Sequence, residues 1–315
     1  MSEKPITYSE TFYSVQGEGY FTGVPSAWLR FFLCNLQCDG FGQDNPTDPS
    51  THELPYQNID ITDITDIKDL PVWEKGCDSS YSWSKKFKHL QYKNTAYEIV
   101  DILRNRMVNE FNPEGAYLHP VSKQTAHLVV TGGEPLMPHA QRAMMDIWDV
   151  YRGKLMHEKP QWITWETNGT QKLTKEFADY FSNPGLCNAK LFMSVSPKLF
   201  TVSGEPAKRA IKPDVVAEYA RVVHDNRRFG DRRQIPGGQL KFVMGPKVEQ
   251  WEELDDVVSR FRSAGVHWPV TIMPVGARVE EQDMCAGDVA NMAQARGYSV
   301  SARVHTYLWG NVIGV

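Results

Sequence analysis

The chain has 315 residues, 41% of them hydrophobic, enough to bury a large core in one big α/β domain or two smaller ones. A net charge of -4 and a pI near 6.2 argue against a protein that coats nucleic acid. No apolar segment follows Met1 and no apolar run approaches the ~20 residues of a membrane span, so the sequence predicts a cytoplasmic protein with neither signal peptide nor membrane anchor, its five cysteines reduced.

In chain order, residues 10–23 alternate apolar and polar side chains and open into a loop containing Gly17 and Gly19. The lysine and hydroxyl of a phosphate-binding loop are missing, so the glycines read either as a plain hairpin turn or as a close backbone approach. The apolar run 27–33 reads as a buried strand, and Arg30 inside it must meet an anion or reach the strand's polar end. Cys34 and Cys38 lie in the loop that follows. Residues 39–76 then break the pattern, with nine acidic residues, two basic ones, four prolines and a quasi-repeat, Ile-Asp-Ile-Thr-Asp-Ile-Thr-Asp-Ile, at 59–67. This segment is predicted to be an inserted surface excursion with solvated charges, the alternative being a lid or a docking element.

Beyond Cys77, Thr95 and Glu98 form a capping-box pattern ahead of Ile99, Val100, Leu103 and Met107 at helical spacing. Strands predicted at 127–131, 161–165, 191–195, 239–244 and 269–273 alternate with helices near 139–152, 174–181, 212–223, 248–263 and 280–296. Repeated β-then-α units predict a parallel sheet, closed or nearly closed into a barrel or else open and doubly wound. Cys34, Gly132-Gly133-Glu134, Glu166-Thr167-Asn168-Gly169, Ser196-Pro197-Lys198 and Pro274-Val275-Gly276 each follow a strand. They share the rim on which barrel enzymes place their active sites, which favours an enzyme. Cys187 and Cys285 sit among apolar residues and read as buried thiols. The arginine pairs at 227–228 and 232–233 read as a solvated basic loop.

Three thiolates can hold a four-iron cluster by three corners and leave one iron open. With Thr131-Gly132-Gly133-Glu134-Pro135 beside such a cysteine loop, the chain resembles the radical S-adenosylmethionine (SAM) enzymes. The ordered set Gln16-Gly17-Glu18-Gly19, Arg30, Cys34, Cys38, Cys77-Asp78-Ser79, Glu166-Thr167-Asn168-Gly169-Thr170, Ser196-Pro197-Lys198 and the ending His305-Thr306-Tyr307-Leu308-Trp309-Gly310-Asn311 narrows this to a resemblance to the 7-carboxy-7-deazaguanine synthase family. It runs from about residue 7 to the C-terminus, with 39–76 and 205–238 outside it.

The resemblance implies an α/β fold of the radical SAM type: one domain over 1–315, a partial β/α barrel with a parallel sheet and outer helices. It further implies ring contraction of 6-carboxy-5,6,7,8-tetrahydropterin to 7-carboxy-7-deazaguanine with release of ammonia, in 7-deazaguanine (queuosine- or preQ0-type) biosynthesis. A 4Fe-4S cluster would be held by Cys34, Cys38 and Cys77. The superfamily's third cysteine would fall at position 41, which here is Phe41, so residues 39–76 read as inserted between the second and third ligands. Magnesium would sit at Ser79, and SAM at Gly76, Cys77, Asp78, Gly133, Glu134, Ser196, Pro197, Lys198, Met273, Pro274, Val275 and Gly276. The pterin would meet Val15, Gln16, Gly17, Glu18, Arg30, Thr131 and Val315. No catalytic side chain is implied beyond the cluster and SAM. The family pattern also implies an electron donor such as flavodoxin or ferredoxin and a homodimer, without membrane or nucleic-acid partners. Two other readings stand beside it: a radical SAM enzyme acting on another substrate, and a zinc site of Cys34, Cys38 and Cys77 with His52 or His89 on a nucleic-acid-binding module.

Overall fold

The computed structural model describes residues 4–226, 235–310 and 312–314. Its strands are β1 (Ile6–Val15), β2 (Pro25–Phe31), β3 (Tyr92–Asn94), β4 (His127–Gly132), β5 (Trp162–Thr167), β6 (Lys190–Val195), β7 (Gly238–Met244), β8 (Val270–Pro274) and β9 (Ser299–Val300). They form one sheet in the order β3-β1-β2-β4-β5-β6-β7-β8-β9. From β2 to β9 every neighbour is parallel, and β1 pairs antiparallel with both β2 and β3 at one edge. The crossover helices are Ala96–Arg106, Pro138–Arg152, Lys175–Ser182, Pro213–Asn226, Val248–Ser263 and Ala286–Ala295. The predicted α/β fold with an incomplete barrel is what the chain forms. The predicted helix at 280–296 is broken at Cys285, with a short helix, Val279–Asp283, in front of the break.

Side-chain alternation sorts the strands into two faces. Leu128, Val130, Ile163, Trp165, Leu191, Met193, Leu240, Phe242, Val270 and Ile272 are buried against helix residues such as Trp148, Phe177, Tyr219 and Trp251. Many of the intervening positions are polar and meet inside the barrel: Gln239 donates to Ser194 Oγ at 2.8 Å and accepts from Thr271 Oγ1 at 3.0 Å. The loop between β1 and β2 threads this interior. Phe21 packs on His127, Trp162 and Phe192, and Gly19 N donates to Ser301 Oγ beyond β9 at 2.7 Å, so the two ends of the sheet curl toward one another. The close-approach reading of the glycines is thereby supported. A Cβ on Gly17 would fall 2.0 Å from His305 Nδ1, and one on Gly19, whose φ is +72°, 2.2 Å from Gln239 Nε2.

The insertion departs from its sequence reading. Tyr56, Ile67, Leu70 and Trp73 join Tyr81, Phe87 and Leu90 in a second apolar core, with Leu54, Ile59, Ile61 and Ile64 packed against it. The isoleucines of the quasi-repeat turn inward while Asp60 and Asp63 stay exposed, and Asp60 and Asp66 cap local turns through Thr62 N and Lys68 N. The charges are mostly solvated, as expected, but the segment is a folded unit with an apolar core of its own. Of the basic loop, the arginine pairs at 227–228 and 232–233 lie outside the described residues. If the insertion is a folded unit, Ile67→Ala should lower stability by about 2–5 kcal/mol, whereas Asp63→Asn should stay within about 0.5 kcal/mol. Denaturant melts of both variants check this, and two silent substitutions would return the segment to a solvated excursion.

Candidate functional site

The loop after β2 is held in a conformation that exposes its thiols to the rim. Leu33 takes a φ of +88° and Cys38 one of +55°, left-handed values that side chains adopt only when their surroundings fix them. The fixing contacts are Leu33 N to Ser82 O at 2.8 Å, Glu134 N to Leu33 O at 2.8 Å, and Gln37 N and Cys38 N to one oxygen of Glu205 at 2.6 and 2.9 Å. Gly133 lies directly on this turn: a Cβ there would come 2.4 Å from Leu33 O, so the position has room only for glycine. On the far side of the insertion, Gly76 N donates to Phe41 O at 2.8 Å and returns Cys77 to the same place.

Cys34, Cys38 and Cys77 consequently line one cavity of about 220 Å³. All three are free thiols. Burial pushes the Cys34 thiol up to about 12, the Cys77 thiol up to about 11 and the Cys38 thiol well above its usual value, so they stay protonated near neutrality until a metal displaces the protons. Leu36 N and Asn168 Nδ2 already donate to Cys34 Sγ at 3.4 and 3.8 Å, contacts that suit a ligated thiolate. Among the described residues, no three His, Cys, Asp or Glu side chains are grouped to hold a single metal ion. The zinc reading needs His52 or His89, whose rings instead face the carbonyls of Pro46 and Ile64. A cluster, which takes each thiolate on a different iron, fits this donor set.

The same cavity is walled by Gly76, Asp78, Gly133, Ser196, Lys198, Met273, Pro274, Val275 and Gly276. The insertion adds Phe41, Gly42, Trp73 and Glu74. Pro197 is not among the lining residues, and Glu134 is corrected outright. Its side chain is fully buried and its two oxygens accept from Thr167 Oγ1 at 2.7 Å, Leu136 N at 3.0 Å and Asn168 N at 2.8 Å. It ties neighbouring rim loops together and offers no carboxylate to a ligand. Burial raises its carboxyl to about 7 despite those donors.

A second cavity, also about 220 Å³, adjoins the first and shares Glu18, Arg30, Asp78, Ser79, Thr131, Glu166 and Arg303 with it. Val15, Gln16 and Gly17 line it, as do Val312, Ile313 and Gly314, while Val315 lies outside the described residues. Here the structure adds residues that sequence reading passed over. Lys241 bridges Glu18 at 2.6 Å and Glu166 at 2.8 Å; Arg303 bridges Glu18 at 3.1 Å and Asp78 at 2.7 Å. Arg30 Nε pairs with Glu10 at 2.6 Å, its cross-strand partner in the β1–β2 register, and Tyr81 donates to the same Glu10 oxygen at 2.9 Å. One signal could have found Lys241: like Arg30, it is a cation inside an apolar strand. Burial alone would raise the Glu18 carboxyl, but Lys241, Arg303 and His305 hold it below the usual carboxylate range.

A carboxylate depressed in the fold contributes stability that is present above its unfolded pKa and fades as pH falls. The native protein should therefore be more stable than Glu18→Gln near neutrality, with the gap narrowing as pH drops below the ordinary value of 4.5. Paired thermal melts across that range check the sign, and a gap that widens toward acid would contradict it.

No family model matches the chain. It is 27% identical, over 98% of its own length and 89% of the relative's, to a 7-carboxy-7-deazaguanine synthase from Rhodopirellula baltica. A 7-carboxy-7-deazaguanine synthase from Halobacterium salinarum is 25% identical over 97% of this chain and 91% of that one. The solved structure of QueE from Escherichia coli aligns over 96% of this chain and 95% of that one at 16% identity, with a TM-score of 0.47. Over almost its whole length, the chain is thus similar to these two 7-carboxy-7-deazaguanine synthases.

Proposed function

We propose that this protein is a radical SAM lyase that contracts 6-carboxy-5,6,7,8-tetrahydropterin to 7-carboxy-7-deazaguanine and releases ammonia. The observation that carries the reading is the meeting of Cys34, Cys38 and Cys77 on one cavity that opens into a second, charge-lined one. When bound, the 4Fe-4S cluster and SAM would supply the radical chemistry that the ring contraction needs. The remaining work falls to the chain: to bind, orient and exclude water.

Cys34, Cys38 and Cys77 would hold the cluster. The bare backbone at Gly133, the Ser196–Lys198 pair and the 273–276 segment would hold SAM, with Gly76 and Asp78 on the insertion side. The pterin would occupy the second cavity against Gln16, Gly17, Glu18, Arg30 and Thr131. Glu10 pins Arg30 through Nε, and Arg30 Nη1 reaches Ser79 Oγ at 3.4 Å, so the fork is aimed at the shared wall of the two cavities. A substrate carboxylate there gains a two-pronged partner held in place before binding. Ser79 Oγ, 3.1 Å from Asp78 Oδ1, offers the hard oxygen that magnesium prefers. A one-electron donor of the flavodoxin or ferredoxin kind, a homodimeric state and a cytoplasmic setting complete the proposal.

The direct test is to reconstitute the protein anaerobically with iron and sulfide, reduce it with dithionite, and supply SAM and the carboxypterin. The deazaguanine acid should appear with one equivalent of ammonia. SAM cleavage without that product would transfer the protein to a radical enzyme of other substrate. Arg30→Lys keeps the charge but loses one arm of the grip, so KM for the pterin should rise about tenfold, the equivalent of about 1.4 kcal/mol, with uncoupled SAM cleavage retained. An unchanged KM would remove Arg30 from the pterin site.

A further inference from the structure

The insertion's apolar core reaches the second cavity as well as the first. Among the described residues, the members of that core and the side chains packed on them all lie between Leu54 and Leu90, with one exception, Ile313. Ile313 also lines the second cavity, flanked there by Val312 and Gly314, and the insertion adds Val72 to the same wall. Gly314 passes close between the insertion and the sheet: its φ is +84°, and a Cβ there would come 3.2 Å from Lys68 Cε and 3.4 Å from Glu10 Oε2. The other oxygen of Glu10 pairs with Arg30 at 2.6 Å and accepts from Tyr81 at 2.9 Å, and Tyr81 is itself a member of the insertion's core. Residues 312–314 belong to no helix or strand. Such a stretch keeps one position only where its side chains are tied down, and burial of an aliphatic side chain supplies the tie.

We propose that the insertion is the seat for residues 312–314: Ile313 anchors in its core and so holds this segment as a wall of the pterin cavity. This rests on the pterin reading given above. Pterin binding then depends on packing inside the insertion, through core residues that line neither cavity. The physical effect of the wall is to keep water from the face where Arg30 would meet the ligand's carboxylate, which strengthens that charge pair. The insertion thereby serves both cavities, returning Cys77 to the first and walling the second.

Ile313→Ala removes the anchor and leaves Arg30 and the three cysteines untouched. In anaerobically reconstituted protein, its Kd for the carboxypterin, measured by equilibrium dialysis, should rise about tenfold, with iron content and SAM affinity at the wild-type level. Leu70→Ala separates the seat from a direct contact of Ile313 with the ligand, because Leu70 is buried in the insertion's core and lines neither cavity. It should weaken pterin binding in the wild-type background and add nothing in the Ile313→Ala background. An unchanged Kd in Ile313→Ala, or a Leu70→Ala protein that binds pterin as the wild type does, would overturn the proposal alone. A second measurement needs no cluster. Hydrogen exchange of the peptide that carries 312–314 should be faster in Leu70→Ala than in the wild type, and equal exchange would overturn the proposal whether or not that variant takes up iron. A wild-type protein that loads its cluster and binds no carboxypterin would overturn the reading beneath, and this proposal with it.

Discussion

Three thiols carried by two separated segments must meet at one end of a parallel sheet, and most of the structure around them serves that meeting. Cys34 and Cys38 leave β2 on a loop whose left-handed residues are fixed by Ser82, Glu134 and Glu205. Cys77 returns only after the 38 residues 39–76. Closing so long a loop costs about 2–3 kcal/mol more in chain entropy than closing a two-residue step, a modest sum beside the ~10 kcal/mol typical of structural metal ligation. The insertion's own apolar core offsets that cost further, because a folded segment no longer behaves as a flexible loop. Tyr81, Phe87 and Leu90 belong to that core yet follow Cys77, so the packing of the insertion and the placement of the third thiol are one event.

The barrel interior poses the opposite problem, since it must keep charges dry. Glu18, Asp78 and Glu166 would each be costly to bury alone, and Lys241 and Arg303 between them satisfy all three. Gln16 Nε2 donates to the remaining Glu166 oxygen at 2.9 Å, which draws the glycine loop into the same network. Such a charge-balanced wall favours a polar, hydrogen-bonding ligand over an apolar one. It also explains why Gly17 and Gly19 are needed: only bare backbone can pass between His305 and Gln239 on the way to Glu18.

Much of this was legible in the sequence, and what was not has a physical reason. The β-then-α rhythm and the rim motifs could be read because each is local: a periodicity, a tripeptide after a strand. The expectation that Cys77 joins Cys34 and Cys38 came from the resemblance, through the Asp78-Ser79 pair that follows it. Glu134 was misread because the sequence shows a carboxylate on a rim loop but cannot show that Thr167, Leu136 and Asn168 consume both its oxygens. The insertion's solvated charges were legible in its composition, but its apolar core was not, because its period of inward isoleucines is short and irregular. Lys241, Arg303 and Glu10 were passed over because their meaning lies in partners tens or hundreds of residues away. Lys241 alone had a local sign of the kind that marked Arg30, a cation in an apolar strand.

The claim on which the account turns is that Cys77, returned by the insertion, completes the set begun by Cys34 and Cys38. The most direct measurement is the iron content and Mössbauer spectrum of anaerobically reconstituted Cys77→Ala beside Cys187→Ala, whose thiol is buried in the helix-facing core. The account predicts that Cys187→Ala keeps a full four-iron cluster and that Cys77→Ala loses it together with SAM cleavage. A Cys77→Ala protein with a full cluster that still cleaves SAM would contradict it.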